Sequence, residues 1–162
     1  MKILIVYYTQ TGRTKKIAEA IASSLKDHEV KFIRFELIGS FSERFKISGE
    51  IRTGNYFRIK EELISLKDAS FDLLIIGMPT HGGPPPKVYE EIVDQLGDLN
   101  GKKAITFNTA RITGSSTPDM MAAKLEDAGA TIIEKKGFKG LFRLGTNKAV
   151  EFGNNINQML SS

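Results

Sequence analysis

Three short stretches of the chain combine hydroxyl side chains, glycines and a few basic residues: YTQTGRTKK (8–16), GMPTHGGPPPK (77–87) and FNTARITGSST (107–117). In the first, Thr9, Thr11 and Thr14 flank Gly12, and the apolar residues that follow recur at helical spacing, so the hydroxyls stand at a helix N-terminus. Unpaired backbone N–H groups and the helix dipole attract anions there, and a phosphate is the natural guest. A plainer reading makes Thr11 or Thr14 no more than the cap of that helix. The loop has neither the GxxxxGK pattern of a phosphate-binding NTPase nor the GxGxxG of a dinucleotide fingerprint.

Other chemistry is scarce. The chain has no cysteine, which removes thiolate nucleophiles, disulfides and sulfur-ligated metal, so redox chemistry would need a bound cofactor. There is no histidine pair or carboxylate cluster of the kind that ligates a metal, and no early acidic pair like that of a phosphoacceptor domain. His81, in the second stretch, reads as a packing or hydrogen-bonding group, with proton donation as the alternative; His28 reads as a solvent-facing residue near a helix end.

The elements that must position these loops follow from the patterning of the 162 residues, 41% of them apolar and 26% charged, enough for one domain with a full core. Apolar runs at 3–8, 30–35, 71–77, 103–108 and 131–138 alternate with helix-period segments, a pattern that predicts βαβ units and a parallel sheet. The third run is apolar nearly throughout, as expected of a strand covered on both faces. Ile17, Ala18, Ile21, Ala22 and Leu25 repeat at helical spacing, as do Val88, Ile92, Val93 and Leu96, then Met121, Leu125 and Ala128. Gly97 and Gly129 stand where helices stop, and a last helix is predicted over about 147–160. In an open parallel sheet, ligands bind beyond the carboxyl ends of the strands, which is where all three stretches fall.

The segment 39–60 is too long for a simple turn. It is expected to be an extended connection whose aromatics, Phe41, Phe45, Tyr56 and Phe57, pack on the sheet edge; its five basic residues against two Glu also suit a partner-docking flap. The apolar N-terminal run is short and Gln10, Arg13, Lys15 and Lys16 follow at once, so neither a signal peptide nor membrane insertion is expected and the predicted location is cytoplasmic.

Ile5, Val6, Tyr7, Thr9, Gly12, Thr14, Ala18 and Ile21 resemble, in type and spacing, the N-terminal signature of the flavodoxin family: a strand, T-x-T-G-x-T, then a helix. PTHGGPPP is similar to the family's second, ring-flanking loop, FNTARITGSST to its third, and GTNKAVEFGNNI to its final helix. The resemblance covers nearly the whole chain except 39–60. It implies an α/β doubly wound, five-stranded parallel sheet of order 2-1-3-4-5, forming a single domain over 1–162 that binds flavin mononucleotide (FMN). By position, Thr9, Gln10, Thr11, Gly12, Arg13 and Thr14 would surround the phosphate. Pro79, Thr80, His81, Gly82 and Gly83 would face the ring, and Asn108, Thr109, Ala110, Arg111 and Gly114 would hold its other edge. A Gly82 or Gly83 peptide would turn its carbonyl to the ring on reduction.

Two departures bear on function. Typical family members are acidic and sandwich the ring between aromatics; this chain has net charge +4, no tryptophan and no aromatic within TARITGSST. Its basic residues are scattered among acids, which argues against nucleic acid as a partner. The resemblance therefore implies an electron carrier shuttling between redox partners, the alternative being an FMN-dependent NAD(P)H reductase of a quinone-like acceptor. An FMN-free binding module is the third reading.

Overall fold

The computed structural model describes residues 1–80 and 82–162. The chain alternates strands and helices: β1 (Lys2–Thr9), α1 (Arg13–Ala22), β2 (Glu29–Glu36), α2 (Phe41–Arg52), a single 3-10 turn (Phe57–Ile59), α3 (Lys60–Lys67), β3 (Leu73–Pro79), α4 (Val88–Leu96), β4 (Lys103–Ala110), α5 (Thr117–Asp127), β5 (Thr131–Lys139) and α6 (Thr146–Ser161). All strand pairs are parallel, in the order β2-β1-β3-β4-β5. This is the doubly wound arrangement predicted above.

The two-residue period of β1 and β3 divides the core between two faces. Leu4, Val6 and Tyr8 of β1 join Leu74, Ile76 and Met78 of β3 under the layer that contains α3, α4 and α5. Ile3, Ile5 and Tyr7 join Leu73 and Ile75 under α1 and α6, where Ile17, Ile21, Phe152 and Ile156 close the other side. Burial on both sides explains why these central strands show no polar alternation. The edge strands β2 and β5 do carry it, with Lys31 and Arg34 on one and Glu134, Lys135, Lys136 and Lys139 on the other exposed.

Several element ends differ from the sequence expectation. β3 begins at Leu73, because the Asp72 carboxylate accepts the Lys2 backbone N–H at 2.8 Å just before the ladder starts. It runs on to Pro79, opposite Thr109. His28 is half-buried rather than solvent-facing, and its Nε2 lies 2.9 Å from Asn157 Oδ1 of α6.

The larger correction concerns 39–60, which is helical and not extended. Ser40 and Glu43 form a reciprocal capping box that starts α2, a signal present in the sequence as Ser-x-x-Glu. Ile51 and Ile59 are buried in the core and Tyr56 packs against it, but Phe41, Phe45 and Phe57 are exposed rather than laid on the sheet edge. Phe41 and Phe45, one helical turn apart, stack on each other with centroids 6.5 Å apart.

Candidate functional site

The loops that follow β1, β3 and β4 enclose a cleft of about 500 Å³ at the carboxyl end of the sheet. Thr9, Gln10, Thr11, Arg13 and Thr14 line it from the first loop, Pro79 and Thr80 from the second, and Thr109, Ala110 and Arg111 from the third. Ile112 and Thr113 join them without having been singled out in the sequence.

The first loop turns through Gly12, whose φ of 83° suits a residue without a Cβ. Thr9 Oγ1 accepts the Gly12 N–H at 3.0 Å and so shapes the turn. Gly12 is itself the N-cap of α1, and no side chain caps the helix. That outcome overturns the plainer reading of Thr11 and Thr14 as caps. Thr14 is buried, with its Oγ1 2.8 Å from Thr109 Oγ1, and this contact ties α1 to the end of β4. Thr11 is exposed at the rim.

The charge of the cleft is set by two guanidinium groups. Arg13 Nη2 donates to the carbonyls of Ala110, at 3.4 Å, and Gly140, which clamps the first loop to the third and to the segment after β5. Burial and then the neighbouring charge of Arg111 hold the Arg13 guanidinium below its ordinary pKa. Among the described residues no carboxylate forms an ion pair with either arginine. Two uncompensated cations beside an uncapped helix N-terminus favour a multiply charged anion.

Below the cleft runs a buried hydroxyl and amide network that the sequence reading did not anticipate. Asn108 Nδ2 donates to Thr80 Oγ1 at 2.6 Å and to the Gly114 carbonyl at 3.0 Å. Thr80 Oγ1 donates in turn to Thr117 Oγ1 at 3.0 Å, and Thr117 Oγ1 donates to the Gly83 carbonyl. Asn108 is fully buried and Gly114 is buried, so these two brace the loops from beneath and do not line the cleft. Gly114 has φ 108°, and a Cβ there would lie 2.5 Å from Thr80 Cγ2, so only glycine lets the third loop cross the second. Gly82 and Gly83 lie beyond the cleft lining in the second loop, and His81 lies outside the described residues. The signal that could have located Thr117 is its place at the start of a helix after the glycine and serine run.

Among the described residues no group of His, Asp or Glu could hold a metal, and no helix is long and apolar enough to cross a membrane.

No family model and no curated protein matches the sequence. Solved structures do match. A flavodoxin from the domain Archaea superposes with a TM-score of 0.66 at 20% identity over 100% of both chains. The chain has the flavodoxin-like fold. Oxidised flavodoxin 2 from Bacillus cereus superposes on the same flavodoxin-like frame with a TM-score of 0.65 and 24% identity, over 98% of this chain and 99% of that one. A flavoprotein from Lactobacillus acidophilus, solved in complex with FMN, covers 84% of this chain and 92% of its own with a TM-score of 0.53 and 24% identity.

Proposed function

We propose that the protein binds FMN noncovalently in the cleft and works as an electron-transfer flavoprotein. The observation that carries this reading is the uncapped N-terminus of α1, set under Thr9, Thr11 and Thr14 and beside the unpaired cations Arg13 and Arg111, at the mouth of a cleft large enough for a small-molecule cofactor. Structural likeness to flavodoxins, and to a flavoprotein solved with FMN, supports the same assignment. In this reading the first loop holds the terminal phosphate, with Arg13 and Arg111 neutralising it. Pro79 and Thr80 lie against one side of the ring, and Thr109, Ala110 and Ile112 against the other. The flavin would supply the one- and two-electron chemistry that the side chains lack. The chain's part is to orient the cofactor on loops braced by Asn108 and Thr117 and to leave the ring accessible to a redox partner.

The phosphate assignment predicts that the full chain binds FMN at least about a hundredfold more tightly than riboflavin, the worth of two or more hydrogen bonds to a charged group. Fluorescence titration of both flavins tests it; equal affinities would refute the phosphate site.

A carrier is the reading favoured by the first loop and its match to the family signature. One observation favours the reductase alternative: the third loop brings no aromatic to the cleft, and Ile112, 71% exposed at its mouth, leaves room for a substrate on the ring. Anaerobic mixing of the FMN-loaded protein with NADPH or NADH separates the two. A carrier keeps its absorbance near 450 nm without added reductase, and a reductase bleaches at once.

A further inference from the structure

On the far side of Gln10 from the flavin cleft, a second cavity of about 540 Å³ opens between α2 and the Pro84-Pro85-Pro86 segment before α4. Its walls are apolar, made by Ile51 on α2 and the three prolines opposite. Its floor is polar and buried: Gln10 Nε2 donates to Ser48 Oγ and, at 3.4 Å, to the Tyr8 hydroxyl, with Tyr8 2% and Ser48 7% exposed. Because both hydroxyls accept from the amide, each keeps a proton of its own that a bound acceptor could take up as a hydrogen bond. At the rim stand one exposed aromatic face, Phe45, and two exposed cations, Arg52 and Lys87. Neither cation forms an ion pair among the described residues.

These features make different demands on a guest. Apolar walls of Ile51 and three prolines, with an exposed aromatic side chain at the rim, suit a flat apolar ring. Hydroxyl donors at the bottom suit an acceptor atom on that ring, and two free cations at the mouth suit a negatively charged substituent that stays near water. We infer that this cavity is a second ligand site, separate from the flavin cleft, for a planar aromatic anion. The inference rests on the cavity alone and not on the flavin reading.

The test uses 1-naphthyl phosphate as probe, titrated calorimetrically into the full chain both without FMN and after loading with one equivalent of FMN and removal of the unbound flavin. The expected result is one saturable site that persists in the FMN-loaded protein. 1-Naphthol and inorganic phosphate should each bind at least about tenfold more weakly, since each lacks one half of the recognition. Arg52→Glu and Phe45→Ala should each weaken the probe by at least about tenfold, the scale of one charge-assisted or aromatic contact, while leaving FMN affinity and the circular dichroism spectrum unchanged. Both residues are exposed, so neither substitution threatens folding. Loss of probe binding in the FMN-loaded protein freed of excess flavin, or an affinity that neither substitution moves, would overturn the site. If the chain binds no FMN, the titrations of the free protein and its two variants still decide the question.

Discussion

Thr11 and Thr14 look equivalent in the sequence but differ in what their removal should do. Thr11 is exposed at the rim, and Thr11→Ala should weaken FMN by about 1–2 kcal/mol with little change in stability, the scale of one hydrogen bond to a charged group. Thr14 is buried against Thr109, so Thr14→Ala should lower stability as well, by about 1–3 kcal/mol, because it leaves a buried hydroxyl without its partner. Chemical denaturation beside flavin titration separates the two effects. Glu36 makes a different kind of prediction. Partial burial raises its pKa, but the hydrogen bonds from Tyr7 and Lys15 and the charges of Lys15 and Arg34 outweigh that and hold the carboxyl below its ordinary value. A depressed carboxylate stabilises the fold above its unfolded pKa of about 4.3, and that contribution is lost as pH falls through the folded value. Wild type should therefore exceed Glu36→Gln in urea midpoint at pH 7, and the gap should narrow as the solution is made acidic enough to protonate Glu36 in the folded state. Tyr7 works in the opposite direction: burial, then its hydrogen bond to Glu36 and the charge of that carboxylate, raise its pKa, so its contribution is complete below about pH 10 and is lost above.

At the scale of elements, α2 is the instructive case. Its start depends on the Ser40 and Glu43 side chains, and Ser40→Ala should destabilise the protein by about 1 kcal/mol, measurable as a lowered denaturation midpoint. Deleting 39–60 should unfold the chain rather than trim an appendage, because Ile51 and Ile59 would leave the core; a folded deletion variant would refute that. The five strands and the helices α1, α4, α5 and α6 were legible because each has an apolar stripe or run that only one period fits. In α2 the period fails: Phe41 and Phe45 face solvent while Ile47 and Ile51 turn inward, so apolar residues occupy two sides and no single stripe stands out. The capping box was the only local signal. The site divides in the same way. Its upper rim was legible because Thr and Gly cluster in consecutive positions. The Asn108, Thr80 and Thr117 brace was not, since its members meet across 28 and 37 residues of chain through the fold itself.

For the whole molecule, the net charge of +4 sets the rate at which charged reactants arrive. Reoxidation of the reduced, FMN-loaded protein by ferricyanide should slow as salt is added, whereas reoxidation by a hexaammineruthenium cation should quicken, because screening removes attraction in one case and repulsion in the other. Stopped-flow rates over a range of ionic strength check both signs; an unchanged or reversed trend would mean that local rather than overall charge governs the encounter. The edge strands have a further consequence. A parallel sheet that ends in open strands offers a row of unpaired backbone groups to any neighbour, yet β5 lines its edge with Lys135, Lys136 and Lys139, and β2 carries Lys31 and Arg34. Two molecules meeting edge to edge would bring like charges into register before their backbones could pair. Lys135 is paired with Asp119, so Lys136→Val with Lys139→Val should leave the domain folded but prone to thioflavin-positive fibrils on prolonged agitation, a fate these lysines hold off in the native chain.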